Sequence, residues 1–379
     1  MQDSFLNFCK VNQDKLILND IDILFIKKLI SDQNNIEYAY IATISYKISK
    51  LNDSDHKNYF ISEFNKLLKL NNQNSYKYYS NNEKHRIVST HKYDLAPIVL
   101  FTYNRIDTLQ LTLNSLLVNE ESSESSLIIY SDGPKNKEDE KLVNNVRDYL
   151  QRIDGFKKIN YNFMDNNKGL SVSIIDGLNS VSSEHEHFIV LEDDLICSPY
   201  FLNYMNASLN QFKSSKNIWT INAMSCSPEI LKLAPGLKSE YYFTRRASSH
   251  GWGSWSSKWN QVDWDINKLL KKSKNLINRR MLRQAGGDIF KMMEDQNSNK
   301  IDSWAIRWVA NVAMNNGLCV TPYYSHTSHQ FSKFGTHIKN RARSLENDLT
   351  KSQPIYEFKK DIKLSYKINK IYNKKIYKK

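Results

Sequence analysis

In APIVLFTYNRIDTLQLTLNSLL, residues 96–117, a short apolar run stops at polar Tyr-Asn-Arg, and apolar residues then recur at three- and four-residue steps. The stretch reads as strand, turn and helix. The unit repeats downstream. SLIIYSDGP (126–134) is a second strand halted by Asp-Gly-Pro, a strong turn signal, and EDEKLVNNVRDYLQRI (138–153) is a helix. INYNFMDNNKG (159–169) gives a strand and turn, LSVSIIDGLNSV (170–181) a helix, and FIVLEDDL (188–195) closes the series. Strands alternating with helices imply an α/β domain with a mostly parallel, Rossmann-like sheet and flanking helices. In such sheets ligands sit beyond the carboxyl ends of the strands, where Arg105, Asp132, Lys168 and the triplet Glu192, Asp193 and Asp194 all fall.

Three adjacent carboxylates after a buried strand repel one another and are costly to desolvate without a compensating cation. A Mn²⁺ or Mg²⁺ ion shared with substrate phosphates would supply one, because hard ions prefer carboxylate oxygens. The competing reading is a solvated acidic turn leading into a helix start.

The chain has 379 residues and a formal net charge of +13, with 22 Tyr, 16 Phe and 40% hydrophobic residues. That composition argues for a folded protein and against wholesale disorder. The charge suggests an anionic partner: nucleotide phosphates, phospholipid head groups or nucleic acid. Cys9, Cys197, Cys226 and Cys319 lie far apart without a CxxC pair, so neither a disulfide framework nor a zinc site is expected, and a reducing compartment fits. The N-terminus carries no signal-peptide pattern and no apolar run reaches spanning length, so the expected location is cytoplasmic.

Residues 1–90 are expected to form a helical region and linker, with DIDILFIKKLI (20–30) and NYFISEFNKLLKL (58–70) as amphipathic helices and 71–86 as the linker. The catalytic-type domain is expected over 91–345 and a basic tail over 346–379. From Ile355 onward the tail has nine Lys against two acids, interleaved with Ile and Tyr. That pattern fits either an interfacial segment on an anionic membrane, which would place the protein peripherally on its inner face, or a solvated tail.

LFTYNRIDTLQLTLNSL, IIYSDGP, NNKGLSVSIIDGL and VLEDDL resemble the nucleotide-sugar-binding half of GT-A fold glycosyltransferases. With FTRRASSHGWGSWSSKW, DSWAIRW and TSHQFSKFGTH following in order, the nearest resemblance is to the family 13 group, N-acetylglucosaminyltransferase I and its bacterial relatives, over roughly residues 95–340. The resemblance implies a metal-dependent inverting transfer from a nucleotide-sugar, such as UDP-GlcNAc, to a saccharide or lipid-linked saccharide in bacterial surface polysaccharide or glycoconjugate assembly. It implies Asp194 on the metal, and Glu192 and Asp193 on donor sugar and ribose. Asp132 and Arg105 would read the base, Lys168 would neutralise phosphate, and Asp302 would serve as the base. Asp302 also reads as a helix N-cap, with Asp263 and Asp265 as competing bases. Trp252 and Trp255 would stack on sugar, with Gly251 and Gly253 admitting the donor, or else form a core cluster. His326, His329 and His337 fall in a segment that would close over the diphosphate, at spacings that form no convincing metal set.

Two other classes were open from the residues. A nucleotidyltransferase would show a Gly-rich basic loop near the first strand, which LFTYNRID lacks. A basic nucleic-acid-binding or scaffold protein is disfavoured because the basic residues do not interleave with aromatics on the strands. No nucleic acid is therefore expected as partner.

Overall fold

The computed structural model describes residues 2–16, 18, 20–31, 54–70, 94–226, 240–329, 347–355 and 364–371, with isolated positions 41, 44, 47, 48, 51, 52 and 358. The expected linker (71–86), His337 and the last residues of the basic tail lie outside them.

The chain begins with helices α1 (Gln2–Val11), α2 (Asp20–Ser31) and α3 (Asp55–Leu70). On α3, Phe60, Phe64 and Leu67 recur at helical spacing and are all buried, so one stripe of the helix faces inward. Phe60 packs on Phe5 of α1 and on Phe64, with centroids 5.4 and 5.2 Å apart. This cluster does not close on itself: it takes in Ile196 and Leu349, and Leu111, Val118 and Tyr200 pack against it.

From residue 98 the strand–helix alternation appears in order. β1 (Ile98–Thr102), α4 (Ile106–Leu117), β2 (Ser126–Ser131), α5 (Lys137–Leu150), β3 (Lys158–Phe163), α6 (Leu170–Glu184) and β4 (His187–Glu192) make the first half. Next come β5 (Leu195–Cys197), α7 (Phe201–Phe212), β6 (Ile218–Asn222), β7 (Tyr241–Thr244) and β8 (Trp252–Trp255). Helices α8 (Ile266–Ser273), α9 (Leu276–Ala285), α10 (Ile289–Asn297) and α11 (Trp304–Met314) follow, then β9 (Leu318–Pro322), β10 (Thr327–His329) and α12 (Tyr366–Ile371).

Among the described residues the main sheet runs β3-β2-β1-β4-β8-β6-β9-β7. β1 pairs in parallel with β2 and β4, β2 with β3, and β6 with β9. β8 runs antiparallel between β4 and β6, and β7 antiparallel to β9. The expected α/β fold with a mostly parallel sheet is therefore the observed one. Both faces are covered, as continuous apolar strands require. Ile98 and Leu100 of β1 face the side of α4, α5 and α7, whereas Val99 and Phe101 face α6 and α11.

A second, two-stranded sheet pairs β5 with β10, setting His329 opposite Leu195. The β7 edge of the main sheet is closed by the C-terminal segment: Leu364 bridges Phe243, Ser365 N donates to Phe243 O at 3.0 Å, and Phe358 packs on Phe212 and Tyr241. From there α12 reaches α9.

Candidate active site

The parallel order 3-2-1-4 brings the carboxyl ends of β2, β1 and β4 side by side, and the polar residues after those strands meet there. Asp193, almost completely buried, accepts from Thr102 Oγ1 at 2.8 Å and Tyr103 N at 3.2 Å, and from Arg105. Arg105 Nη2 also lies 3.1 Å from Asp194 Oδ2. Burial works against the Arg105 charge, but the two aspartates outweigh it and hold its pKa above the ordinary guanidinium value. Arg105, expected to read a base, thus supplies part of the positive charge that the acidic triplet demands. Glu192 has no hydrogen-bonding partner among the described residues, and its carboxyl is pushed up to about 8 by burial and by Asp194 and Asp193.

Asp132 is clamped. Its Oδ1 accepts from Gly133 N and Lys168 N, each at 2.9 Å, and its Oδ2 from Gly169 N at 2.9 Å and Asn167 Nδ2 at 3.0 Å. Four donors occupy a carboxylate that offers about four acceptor positions, so the residue expected to read a base holds the 167–169 turn instead. Lys168 turns its amine to Asp176 at 3.2 Å, on the exposed side of α6 rather than toward the triplet. Gly169 adopts φ +78°, which allows the chain to enter α6, and Asp302 Oδ2 lies 3.9 Å from where a Cβ on Gly169 would stand. The structure thereby brings Asp302 to the turn fastened by Asp132.

Asp302 does not cap α11. Ser303 does, its Oγ accepting from Ile306 N at 3.3 Å, which leaves the Asp302 carboxylate 63% exposed with Arg307 Nη2 at 3.9 Å. The competing acids are engaged elsewhere. Asp265 caps α8 through Asn267 N and Lys268 N, and Asp263 is held by Lys272 at 2.9 Å, a hydrogen bond that lowers its pKa.

The β5–β10 pairing delivers His329, whose Nε2 lies 3.5 Å from Asp194 Oδ2. His250 packs edge-on against His329 at 5.4 Å, and burial, reinforced by His329, pushes its pKa down to about 4, so its imidazole is neutral. His326 is buried, stacks on Tyr204 at 4.6 Å and bonds Ser198 Oγ at 2.9 Å, a packing role. Among the described residues no three His, Cys, Asp or Glu side chains cluster in ligand geometry. Asp194 and His329 nonetheless offer a carboxylate oxygen and an imidazole nitrogen facing each other, a donor set that suits Mn²⁺ when substrate oxygens complete the shell.

Trp252 and Gly253, expected against the donor, are core residues. Trp252 is fully buried and packs on Trp304, Trp308, Phe188 and Trp259 at 5.3–6.0 Å, so its ring is covered by other aromatics. A Cβ on Gly253 would stand 3.0 Å from Met205 Cε and Phe188 O, so this glycine makes room for α7 and β4 rather than for a sugar. Trp255 is buried on the opposite face, and Gly251 abuts Thr327 of β10.

Several supporting residues were not singled out from sequence. Arg147 of α5 donates to Ser131 O, Asp132 O and Met164 O, tying the ends of β2 and β3 together. Asp139 accepts from Tyr103 Oη at 2.6 Å and Asn104 Nδ2 at 3.0 Å, fixing the loop that carries Arg105. Asp139 was legible only as an acid in the first turn of a helix.

Residues 98–218, which hold β1 through the start of β6, match glycosyl transferase family 2. That segment is similar to family 2 glycosyltransferases. Three solved structures resemble the chain. Mannosyltransferase PcManGT from Pyrobaculum calidifontis, in complex with GDP-Man and Mn²⁺, is 8% identical over 59% of this chain and 70% of that one, at TM-score 0.35. GalNAc-T7 with UDP, GalNAc and Mn²⁺ is 12% identical over 63% of this chain and 44% of its own, at TM-score 0.39. Residues 1–349 of S. aureus TarS are 10% identical over 62% of this chain and 60% of that one, at TM-score 0.35. None of the curated proteins matches the chain. The matched span begins at β1, next to the point where the sequence pattern changes character.

Proposed function

We propose that the protein is a metal-dependent, inverting glycosyltransferase that takes its sugar from a nucleotide-sugar, in the family 13 manner from a UDP-sugar such as UDP-GlcNAc, and delivers it to a saccharide or lipid-linked saccharide. The observation that carries this reading is the facing pair Asp194 and His329, 3.5 Å apart at the carboxyl end of β4 with Arg105 beside Asp194. Asp194 and His329 would hold the divalent ion. When bound, it supplies Lewis-acid stabilisation of the departing diphosphate. Arg105 adds a fixed positive charge at the same place, and Glu192, which has no hydrogen-bonding partner among the described residues, would accept from a donor hydroxyl.

Asp302 is assigned as the base that takes the acceptor proton. Its carboxylate is exposed, is not used as a cap, and stands beside the turn that Asp132 fixes. The domain boundaries that go with this reading are 1–90, 91–345 and 346–379, and surface polysaccharide or glycoconjugate assembly is the corresponding biological setting.

Calorimetric titration with UDP, GDP, CDP and dTDP, each with Mn²⁺ and again with chelator, tests it. Selective binding of one nucleotide that disappears with chelator is the expected result. Failure of all four nucleotides to bind in the presence of Mn²⁺ overturns the donor assignment.

A further inference from the structure

Residues 266–287, INKLLKKSKNLINRRMLRQAGG, contain seven basic residues and no acid. Lys268, Lys271, Lys272 and Lys274 on and just after α8, and Arg279, Arg280 and Arg283 on α9, are all exposed. The first turn of α9 also exposes two aliphatic side chains, Leu276 at 81% and Ile277 at 67%. Among the described residues no other adjacent pair of large apolar side chains stands so far out of the protein. The placement follows from the periodicity of α9. Leu282 and Ala285 point inward, so Leu276, Ile277, Arg279, Arg280 and Arg283 share the solvent face, with Arg280 one helical turn from both Leu276 and Ile277. Lys272 and Lys268 have Asp263 and Asp265 as partners, whereas Lys271, Lys274 and Arg280 have no acidic partner among the described residues.

We propose that the solvent face of α8 and α9 docks the protein on an anionic phospholipid surface, with Leu276 and Ile277 entering the acyl boundary and the surrounding Lys and Arg side chains on the head groups. Charge complementarity sets the sign of the partner, and the aliphatic pair sets its class. Single-stranded nucleic acid is bound by basic grooves that offer aromatic stacking platforms, and this tip presents none. Aliphatic side chains projecting from a basic amphipathic segment gain by entering a bilayer interface. The short helix α12 (Tyr366–Ile371) packs against α9 as well. The patch does not depend on the donor assignment above.

Co-sedimentation of the full chain with vesicles of phosphatidylcholine, with and without phosphatidylglycerol, tests the proposal. The expected result is binding only to the anionic vesicles, weakened by salt, and lowered about tenfold or more by Leu276→Ser with Ile277→Ser and likewise by Arg279→Gln with Arg280→Gln. All four positions are exposed, so an unchanged circular dichroism spectrum and thermal midpoint keep a misfolded variant from being counted as support. Absence of binding by the unaltered chain overturns the proposal, as does undiminished binding by both double variants. A fluorescent oligonucleotide that binds the chain more tightly than anionic vesicles do, and loses affinity in the arginine variant, assigns the face to nucleic acid instead. A self-associating chain that becomes monomeric on Leu276→Ser with Ile277→Ser assigns it to a second copy.

Discussion

Two carboxylates a strand apart illustrate how environment divides labour among identical groups. Asp132 is saturated by four hydrogen-bond donors, whereas Glu192 has no such partner among the described residues and is pushed up to about 8. A raised folded-state pKa means that the unfolded chain gives up its proton first, near 4.5, while the folded chain keeps it until about 8. Stability contributed by this group is therefore lost as pH rises from about 4.5 to about 8. Glu192→Gln should remove that slope, so that in chelator the variant matches the parent at low pH and exceeds it near pH 8, as followed by urea unfolding. Asp302 calls for a different experiment. Asp302→Asn should leave nucleotide affinity unchanged while turnover falls on the order of 10²–10⁴-fold, and near-normal turnover would remove Asp302 from the base role. Asp194→Ala should abolish the Mn²⁺-dependent part of nucleotide binding in calorimetry, and would speak against the metal assignment if that part persisted.

At the scale of elements, β8 is the strand on which sequence and structure part. HGWGSW looked equally suited to a sugar platform or a core, and its place between β4 and β6 settles it as core: Trp252 is surrounded by Phe188, Trp259, Trp304 and Trp308. Trp252→Ala should cost about 3–5 kcal/mol in chemical unfolding, since it leaves a large cavity among rings that cannot close over it. The strands and helices from β1 to β4 were legible because each carries its own periodicity and turn residues, as IIYSDGP does. Neighbouring parallel strands then placed Arg105, Asp132 and Asp194 together by a general rule of such sheets. His329 was not legible in the same way. Its approach to Asp194 depends on β5 pairing with β10, a contact anchored by Ser198 and His326, 128 residues apart in sequence, and no local pattern encodes that distance. The clamping of Asp132 was not legible for a related reason: three of its four donors come from the 167–169 turn, which only the β2–β3 pairing brings near.

For the whole molecule, the site is assembled from parts that are stabilised from outside the sheet. Ile196 lies two residues from Asp194, between the strand end and the cluster formed by Phe5, Phe60 and Phe64. Phe64→Ala should therefore lower global stability by about 3–5 kcal/mol, a loss read in chemical unfolding. It should also weaken Mn²⁺-dependent nucleotide binding, because β5 would lose part of its backing; a destabilised variant with full affinity would show that the helices support the fold alone. The same feature bears on how the protein can be cut. A chain shortened to begin at residue 94 would keep the sheet and the acidic triplet yet leave Ile196, Leu111, Val118 and Tyr200 facing water where aromatic rings had covered them. Such a fragment would be sticky, prone to associate through that bared face, and a poor stand-in for the enzyme.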